Sequence, residues 1–223
     1  MTFSLSRQAG AELLGSILLA GVVIGSGILA SRLSSGNDAV ALLGNTLATA
    51  AILFVLIQAL GPVSGAHFNP AVTLIMTLRR QLAPGAAAVY MLAQVGGCIF
   101  GAGLAHAMFE LPILQTSAHV RSGPAQILSE SVATFTLLFS ILFVSRWKAE
   151  AVPTTVALAI TAGYWWTSST SFANPAISIA RSMTDTFAGV RPEDVPGFIA
   201  GQIVGALLAW VASLILLRGD QPA

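Results

Sequence analysis

Charged residues are scarce in this chain. Ten Lys and Arg and nine Asp and Glu make up 9% of its 223 residues, where an average soluble domain carries about 25%. So little charge cannot cover the surface of a soluble enzyme of this length. The formal net charge of +1 supplies none of the basic footprint that nucleic-acid binding needs. The one cysteine, Cys98, excludes an intrachain disulfide and a Cys-x-x-Cys site. In its apolar, Gly-rich surroundings it reads as a small packed hydrophobe. What is plentiful is apolar: 55% of residues are hydrophobic and the mean hydropathy is +0.82. This composition points to an all-α polytopic membrane protein. The 21 glycines suggest close helix packing.

A membrane helix needs about 20 mostly apolar residues. Six such spans are read: Ala9–Ala30, Val40–Leu60, Ala86–Met108, Ile127–Arg146, Val152–Ser169 and Val195–Leu217. In the first, Glu12 stands just before the apolar run Leu13–Ala30, and the length of that run and the lack of an Ala-x-Ala cleavage site after it lead us to expect an uncleaved span. Six spans put both termini on one side. Placing them in the cytoplasm, with the chain in the inner or plasma membrane, leaves Arg7, Arg79, Arg80, Arg146, Lys148 and Arg218 inside and Arg32, Arg121, Arg181 and Arg191 outside, a small positive-inside excess.

Two connections do not read as loops. Gly61 to Met76 and Thr167 to Ala180 each run through small and polar residues into Asn-Pro-Ala, then a short apolar stretch. Asn is an N-cap and Pro suits the first helical position. Each apolar stretch is too short to span. Both are therefore expected as re-entrant segments: an irregular descending limb, then a half-helix starting at Asn69-Pro70-Ala71 or Asn174-Pro175-Ala176. Irregular backbone at membrane depth requires burial in protein or a wet cavity.

The halves repeat. Glu12 and Glu130 open corresponding spans, and Gln94 and Gln202 precede matching glycines. Each half, 1–115 and 116–223, has three spans. Similar halves with an odd number of spans insert with opposite topology, so the two Asn-Pro-Ala boxes meet near the midplane from opposite faces. A half-helix N-terminus carries roughly +0.5 elementary charge. Two facing ends repel a cation or proton, while the Asn69 and Asn174 side-chain NH2 groups offer donors to a neutral solute. Carbonyls of the limbs supply acceptors along the wall, through Gly65, Ala66, His67, Thr170 and Phe172. The expected function is a passive channel for small uncharged solutes, with no cofactor and no metal.

Other residues are given plainer roles. Glu12 and Glu130 read either as interface carboxylates or, given their symmetry, as buried acceptors bracing the limbs. His67 has no second ligand at metal-binding spacing and reads as a wall residue or loop brace. His106 and His119 read as interface and loop residues. Ser64 beside His67 does not make an enzyme.

The chain resembles the aquaporin and aquaglyceroporin (major intrinsic protein) family across essentially its whole length. The resemblance rests on Glu12, Glu130, the run Ser64 to Thr73, Ala93-Gln94, Asn174-Pro175-Ala176 and Gly201-Gln202. It implies six tilted helices plus two half-helices, one pore per protomer, a homotetramer in the lipid bilayer, and limb bracing by Glu12 and Glu130. One departure stands out. The family usually places Arg directly after the second Asn-Pro-Ala, in its narrow filter; here that residue is Ile177. Carrying over the other filter positions gives Thr49, Ala162 (or its neighbour Gly163) and Ser171, a wide filter with no aromatic and no fixed cation. Position 178, often Asp in aquaglyceroporins, is Ser178. Arg181, one helical turn on, reads as a solvated surface residue or as a partial substitute for the missing charge. Such filters resemble those of bacterial members linked to metalloids, which implies permeation by water, glycerol-like polyols and neutral hydroxides such as arsenous acid. A water-selective channel of the same family and a secondary active transporter built on an inverted repeat are the alternatives.

Overall fold

A computed structural model describes residues 3–218. Eight helices follow in order: α1 (Leu5–Leu33), α2 (Asp38–Ser64), α3 (Pro70–Leu78), α4 (Pro84–Met108), α5 (Pro124–Trp147), α6 (Val152–Trp166), α7 (Pro175–Arg181) and α8 (Val195–Leu216). Six correspond to the expected spans, and α3 and α7 are the two half-helices. Five helices are long and apolar enough to cross a bilayer by length and composition. The remaining expected span is α6. The sequence predicts it over Val152–Ser169, but it is helical only to Trp166. At about 1.5 Å per residue its 15 residues fall short of a full crossing, because the chain leaves the helix early to form the second limb. The reverse holds for Gly61-Pro62-Val63-Ser64, expected in the first limb: α2 continues through Pro62 and stops at Gly65, which has φ +87°.

The half-helices start where their caps dictate. Asn69 Oδ1 accepts from the Ala71 N–H at 2.9 Å, and Asn174 Oδ1 accepts from Ala176 N–H at 3.0 Å and Ile177 N–H at 3.3 Å. Pro70 and Pro175 follow at the first helical position, where no N–H is needed.

Packing follows the repeat. α1 lies mainly against α4 and α2, and α5 mainly against α8 and α6, while α2 and α6 join the halves. Glycine permits the two tightest approaches to a neighbouring helix backbone. A Cβ on Gly101 would lie 2.3 Å from the Ile17 carbonyl oxygen, and one on Gly205 would lie 2.0 Å from that of Ser131. In a bilayer, where burial from lipid gains little, such backbone-to-backbone packing is a main source of helix association. The half-helices cross over into the opposite repeat. Ala176, Ile177 and Ala180 of α7 pack in a cluster with Leu19, Val23 and Ile24 of α1 and Cys98 and Ala102 of α4. Val72 and Ile75 of α3 pack with Leu137 and Leu138 of α5 and Val156 and Ile160 of α6. Large apolar side chains such as Leu92, Phe100, Leu158 and Ile215 point outward. Cys98 is fully buried.

His106 departs from its expected interface position. It is fully buried, with Nδ1 2.9 Å from the Ile113 carbonyl oxygen and Nε2 2.8 Å from Thr184 Oγ1. It pins two connecting loops to the end of α4. His119 is exposed in its loop.

Candidate functional site

The two limbs meet through their asparagines. Asn69 Nδ2 donates to the Ala173 carbonyl at 2.7 Å, and Asn174 Nδ2 donates to the Phe68 carbonyl at 2.8 Å. Each amide thus ties its own half-helix to the opposite limb with one hydrogen and keeps a second donor. Both asparagines line a cavity of about 290 Å³. The Pro and Ala that follow each asparagine do not. Ala71 and Ala176 are fully buried in packing, and Pro70 and Pro175 are absent from the lining. The Pro and Ala positions, expected with the asparagines as one selectivity set, build the caps and the helix contacts instead.

The limbs hold a costly backbone. Ala66, Phe68, Thr170, Ser171 and Ala173 all have φ between 47° and 59°, a left-handed conformation that non-glycine residues rarely adopt. Two buried glutamates over-determine it. Glu12 Oε1 accepts from Ser64 Oγ at 2.6 Å and the His67 N–H at 2.9 Å, and Oε2 accepts from the Phe68 N–H at 2.7 Å and Gln94 Nε2 at 2.8 Å. Glu130 Oε1 accepts from the Phe172 N–H at 2.9 Å, and Oε2 accepts from the Ala173 N–H at 2.8 Å and Gln202 Nε2 at 2.6 Å. Each glutamine continues to its half-helix: Gln94 Nε2 donates to Thr73 Oγ1 at 2.9 Å and Gln202 Nε2 to Ser178 Oγ at 2.8 Å. The repeat read from Glu12, Glu130, Gln94 and Gln202 is therefore a repeat of hydrogen bonds. Neither glutamate is exposed at all, so neither sits at an interface. Thr73 and the position of Ser178 in this network are not legible from spacing alone.

Replacing Glu130 with Gln should be costly for this reason. One oxygen becomes an NH2 facing backbone N–H donors. Hydrogen bonds to a charged group are worth about 1.5–3 kcal/mol each. The expected outcome is a lower Tm in detergent and a fall in the yield of folded protein. An unchanged Tm would show that the carboxylate does not hold the limb.

Of the residues read as pore wall, Gly65, Ala66, His67 and Phe172 line the cavity and Thr170 does not. His67 Nδ1 lies 3.1 Å from Thr73 Oγ1. Thr49, Ser171 and Ile177 also line it, and all three are buried. Ala162 is misplaced in the sequence reading: it is exposed on the outer face of α6. The inward stripe of α6 is Val152, Val156, Ile160 and Tyr164, spaced one turn apart, and 162 falls roughly opposite. Gly163 is buried with Ser171 against it; an added Cβ would lie 2.5 Å from Ser171 Oγ. The α6 side chain beside Thr49 is Tyr164, whose hydroxyl is 3.3 Å from Thr49 Oγ1. The expected absence of an aromatic is corrected accordingly.

Arg181 is not a solvated surface residue. It is 2% exposed and lines the same cavity. Its Nε donates to the Ala188 carbonyl, and its guanidinium carbon lies 3.4 Å from the centroid of the Phe172 ring. Arg121 approaches that ring too, at 5.5 Å, with Nε donating to the Gly189 carbonyl at 2.8 Å. Asp194 is occupied elsewhere, accepting from the Arg121 N–H at 2.8 Å and from Arg191 Nη2 at 2.8 Å. No Asp or Glu lines the cavity among the described residues.

Comparison with known proteins agrees with this geometry. The family model described as "Major intrinsic protein" matches residues 1–209. The chain is 53% identical over 220 residues to the aquaglyceroporin AqpS of Rhizobium meliloti (strain 1021), covering 99% of this chain and 94% of that protein. It is 30% identical over 232 residues to aquaporin NIP1-4 of Oryza sativa subsp. japonica, covering 99% and 81%. In fold it is similar to the X-ray structure of the aquaglyceroporin from Plasmodium falciparum, with a TM-score of 0.72 and 19% identity over 96% of this chain and 97% of that one. Crossed half-helices, paired Asn-Pro-Ala caps and these matches lead to one conclusion: the chain belongs to the major intrinsic protein family of multi-pass membrane proteins.

Proposed function

We propose that this protein is a passive channel through which small uncharged solutes cross the membrane, and that the cavity between the half-helices is its pathway. The observation that carries this is the reciprocal pair of bonds from Asn69 to the Ala173 carbonyl and from Asn174 to the Phe68 carbonyl. They fix two helix N-termini head to head. The unused amide hydrogens and the positive helix ends favour a neutral oxygen acceptor over a cation. An oxygen that accepts from both asparagines points its own hydrogens away, which interrupts a proton-conducting chain of water. Family membership supports a channel rather than an enzyme.

The solutes we assign are water, glycerol-like polyols and neutral trihydroxy acids of metalloids such as arsenous acid. The similarity to an aquaglyceroporin supports the polyols. The largely apolar wall of Leu19, Val23, Leu53, Ile57 and Ile160 favours selection by size and by a few polar groups. We also assign a homotetramer with one pathway per protomer, two inverted repeats spanning 1–115 and 116–223, and both termini in the cytoplasm of a cell with the chain in its inner or plasma membrane. The sidedness is supported by the gathering of Arg79, Arg146 and Arg218 around one recess, as a cytoplasmic face rich in arginine would require.

Stopped-flow swelling of proteoliposomes against water, glycerol, urea and arsenous acid tests the reading. Flux should rise linearly with the solute gradient and should not respond to a proton or sodium gradient. Saturation, or dependence on either ion, would instead indicate a secondary active transporter.

A further inference from the structure

We infer that Arg181 is a specificity-determining residue of this pathway, acting with Ser171 from one helical turn beyond Ile177. The inference rests on the cavity being the pathway. Two polar atoms on its wall are buried and have no hydrogen-bond partner among the described residues: Arg181 Nη1 and Ser171 Oγ. Both residues are at least nine-tenths buried, at 2% and 3% exposure, and both line the cavity. A buried donor left unbonded is costly unless something in the cavity accepts from it. Thr49, the other hydroxyl of the expected filter, is already paired with Tyr164. Beside the second amide hydrogens of Asn69 and Asn174, the buried groups of this wall left free to replace a solute's lost hydration are therefore a guanidinium N–H and a serine hydroxyl.

The guanidinium is held for this role. Residue 181 ends α7, and the side chains of a helix tilt toward its N-terminus, so the arginine reaches back along the pathway toward the asparagines. The Ala188 carbonyl takes Nε and the Phe172 ring covers one face, a seat that fixes a cation without neutralising it. No carboxylate stands opposite: Glu130 is taken up by the Phe172 and Ala173 N–H groups and Gln202, and Asp194 by Arg121 and Arg191. Among the described residues no carboxylate pairs directly with the guanidinium; Glu130 acts on it only through space, so the cation keeps its donor edge toward a largely apolar wall, where charges interact most strongly. It repels cations. Its planar donor edge, on the same cavity wall as the Ser171 hydroxyl, selects solutes carrying more than one hydroxyl oxygen.

The test uses full-length protein in proteoliposomes, with a trapped pH dye for proton flux and light scattering for water and glycerol. Arg181→Gln should raise proton or potassium leak by about tenfold or more, and should change the glycerol-to-water flux ratio. Arg181→Lys keeps the charge but loses the fork; it should stay ion-tight while the ratio changes. Ser171→Ala should alter the ratio without leak. Wild-type vesicles report on the pathway itself: absent wild-type flux of every neutral solute overturns the channel reading. Normal wild-type flux with an ion-tight Arg181→Gln overturns the role of Arg181 alone. If Arg181→Gln does not fold, Arg181→Lys decides, and an unchanged ratio there overturns the inference.

Discussion

Asn69→Asp and Asn174→Asp should each convert an ion-tight protein into one that conducts cations or protons. The Asn69 amide does two jobs, capping α3 through Oδ1 and bonding the Ala173 carbonyl through Nδ2 at 2.7 Å. Asp preserves the first, since a carboxylate is an equally good N-cap. It destroys the second, because a carboxylate oxygen then faces a carbonyl oxygen at hydrogen-bond distance. The limb loses a buried bond and gains an unpaired acceptor, a cost of about 1–3 kcal/mol or more for a charged group. The electrostatics change more. Two helix ends of roughly +0.5 charge each now face a full negative charge between them, and the midpoint becomes attractive to cations. Proton and potassium conductance of proteoliposomes should rise by about an order of magnitude or more. Asn174→Asp should behave alike, since Asn174 makes the mirror bond to the Phe68 carbonyl. An Asp variant with wild-type Tm and no leak would show that these helix ends do not control the pathway. Asn69→Ser, which caps without adding charge, separates the lost bond from the added charge: it should lower Tm without admitting cations.

Much of this arrangement is legible in the residues, because it depends on local rules that sequence carries. Long apolar runs identify spans, and Asn-Pro after a stretch of small polar residues marks a capped helix start. The repetition of Glu12 and Gln94 by Glu130 and Gln202 carries the inverted repeat. The misreadings occur where a side chain's role depends on its helical phase or on a partner distant in sequence. Ala162 is carried over from the family by spacing, and spacing fails when the limb and helix divide the interval differently: α6 ends at Trp166, and the inward stripe falls on 160 and 164. The period of α6 itself, with Val152, Val156, Ile160 and Tyr164 one turn apart, carried the better signal. Thr170 is missed for a related reason: it and Ser171 are consecutive left-handed residues, a local conformation with no periodicity from which to read which side chain faces the cavity.

Arg181 and His106 show the other limit. One turn past Ile177, an arginine at the end of a half-helix has no local reason to turn inward. What draws it in is the Ala188 carbonyl and the Phe172 ring, one from the loop that follows and one from the limb that precedes. The loop is itself anchored by the Val190 N–H donating to the Arg181 carbonyl at 3.1 Å. His106 is likewise buried only because Thr184 and the Ile113 carbonyl close over it. Neither closure has a periodicity or a cap to announce it.

Ile177→Arg should reduce glycerol and arsenous-acid flux by about tenfold while reducing water flux less, because a guanidinium narrows the passage and adds fixed donors. Ile177 is 5% exposed and lines the cavity beside Arg181. The new side chain would stand four residues before Arg181 on the same helix face, where like charges repel. It would also forfeit the packing of Ile177 with Leu19 and Val23. The single variant should therefore have a lower Tm as well as a changed flux ratio. The paired exchange Ile177→Arg with Arg181→Ile moves one cation inward by a turn, about 5.4 Å, instead of adding a second. It should recover part of the lost Tm, remain tight to protons, and keep the low glycerol-to-water ratio of the single variant. Should the single variant leave that ratio at the wild-type value, Ile177 does not face the narrow part of the pathway. Should the exchange leak protons while the single variant does not, the position of Arg181 against Phe172, rather than the mere presence of a cation in α7, is what excludes them.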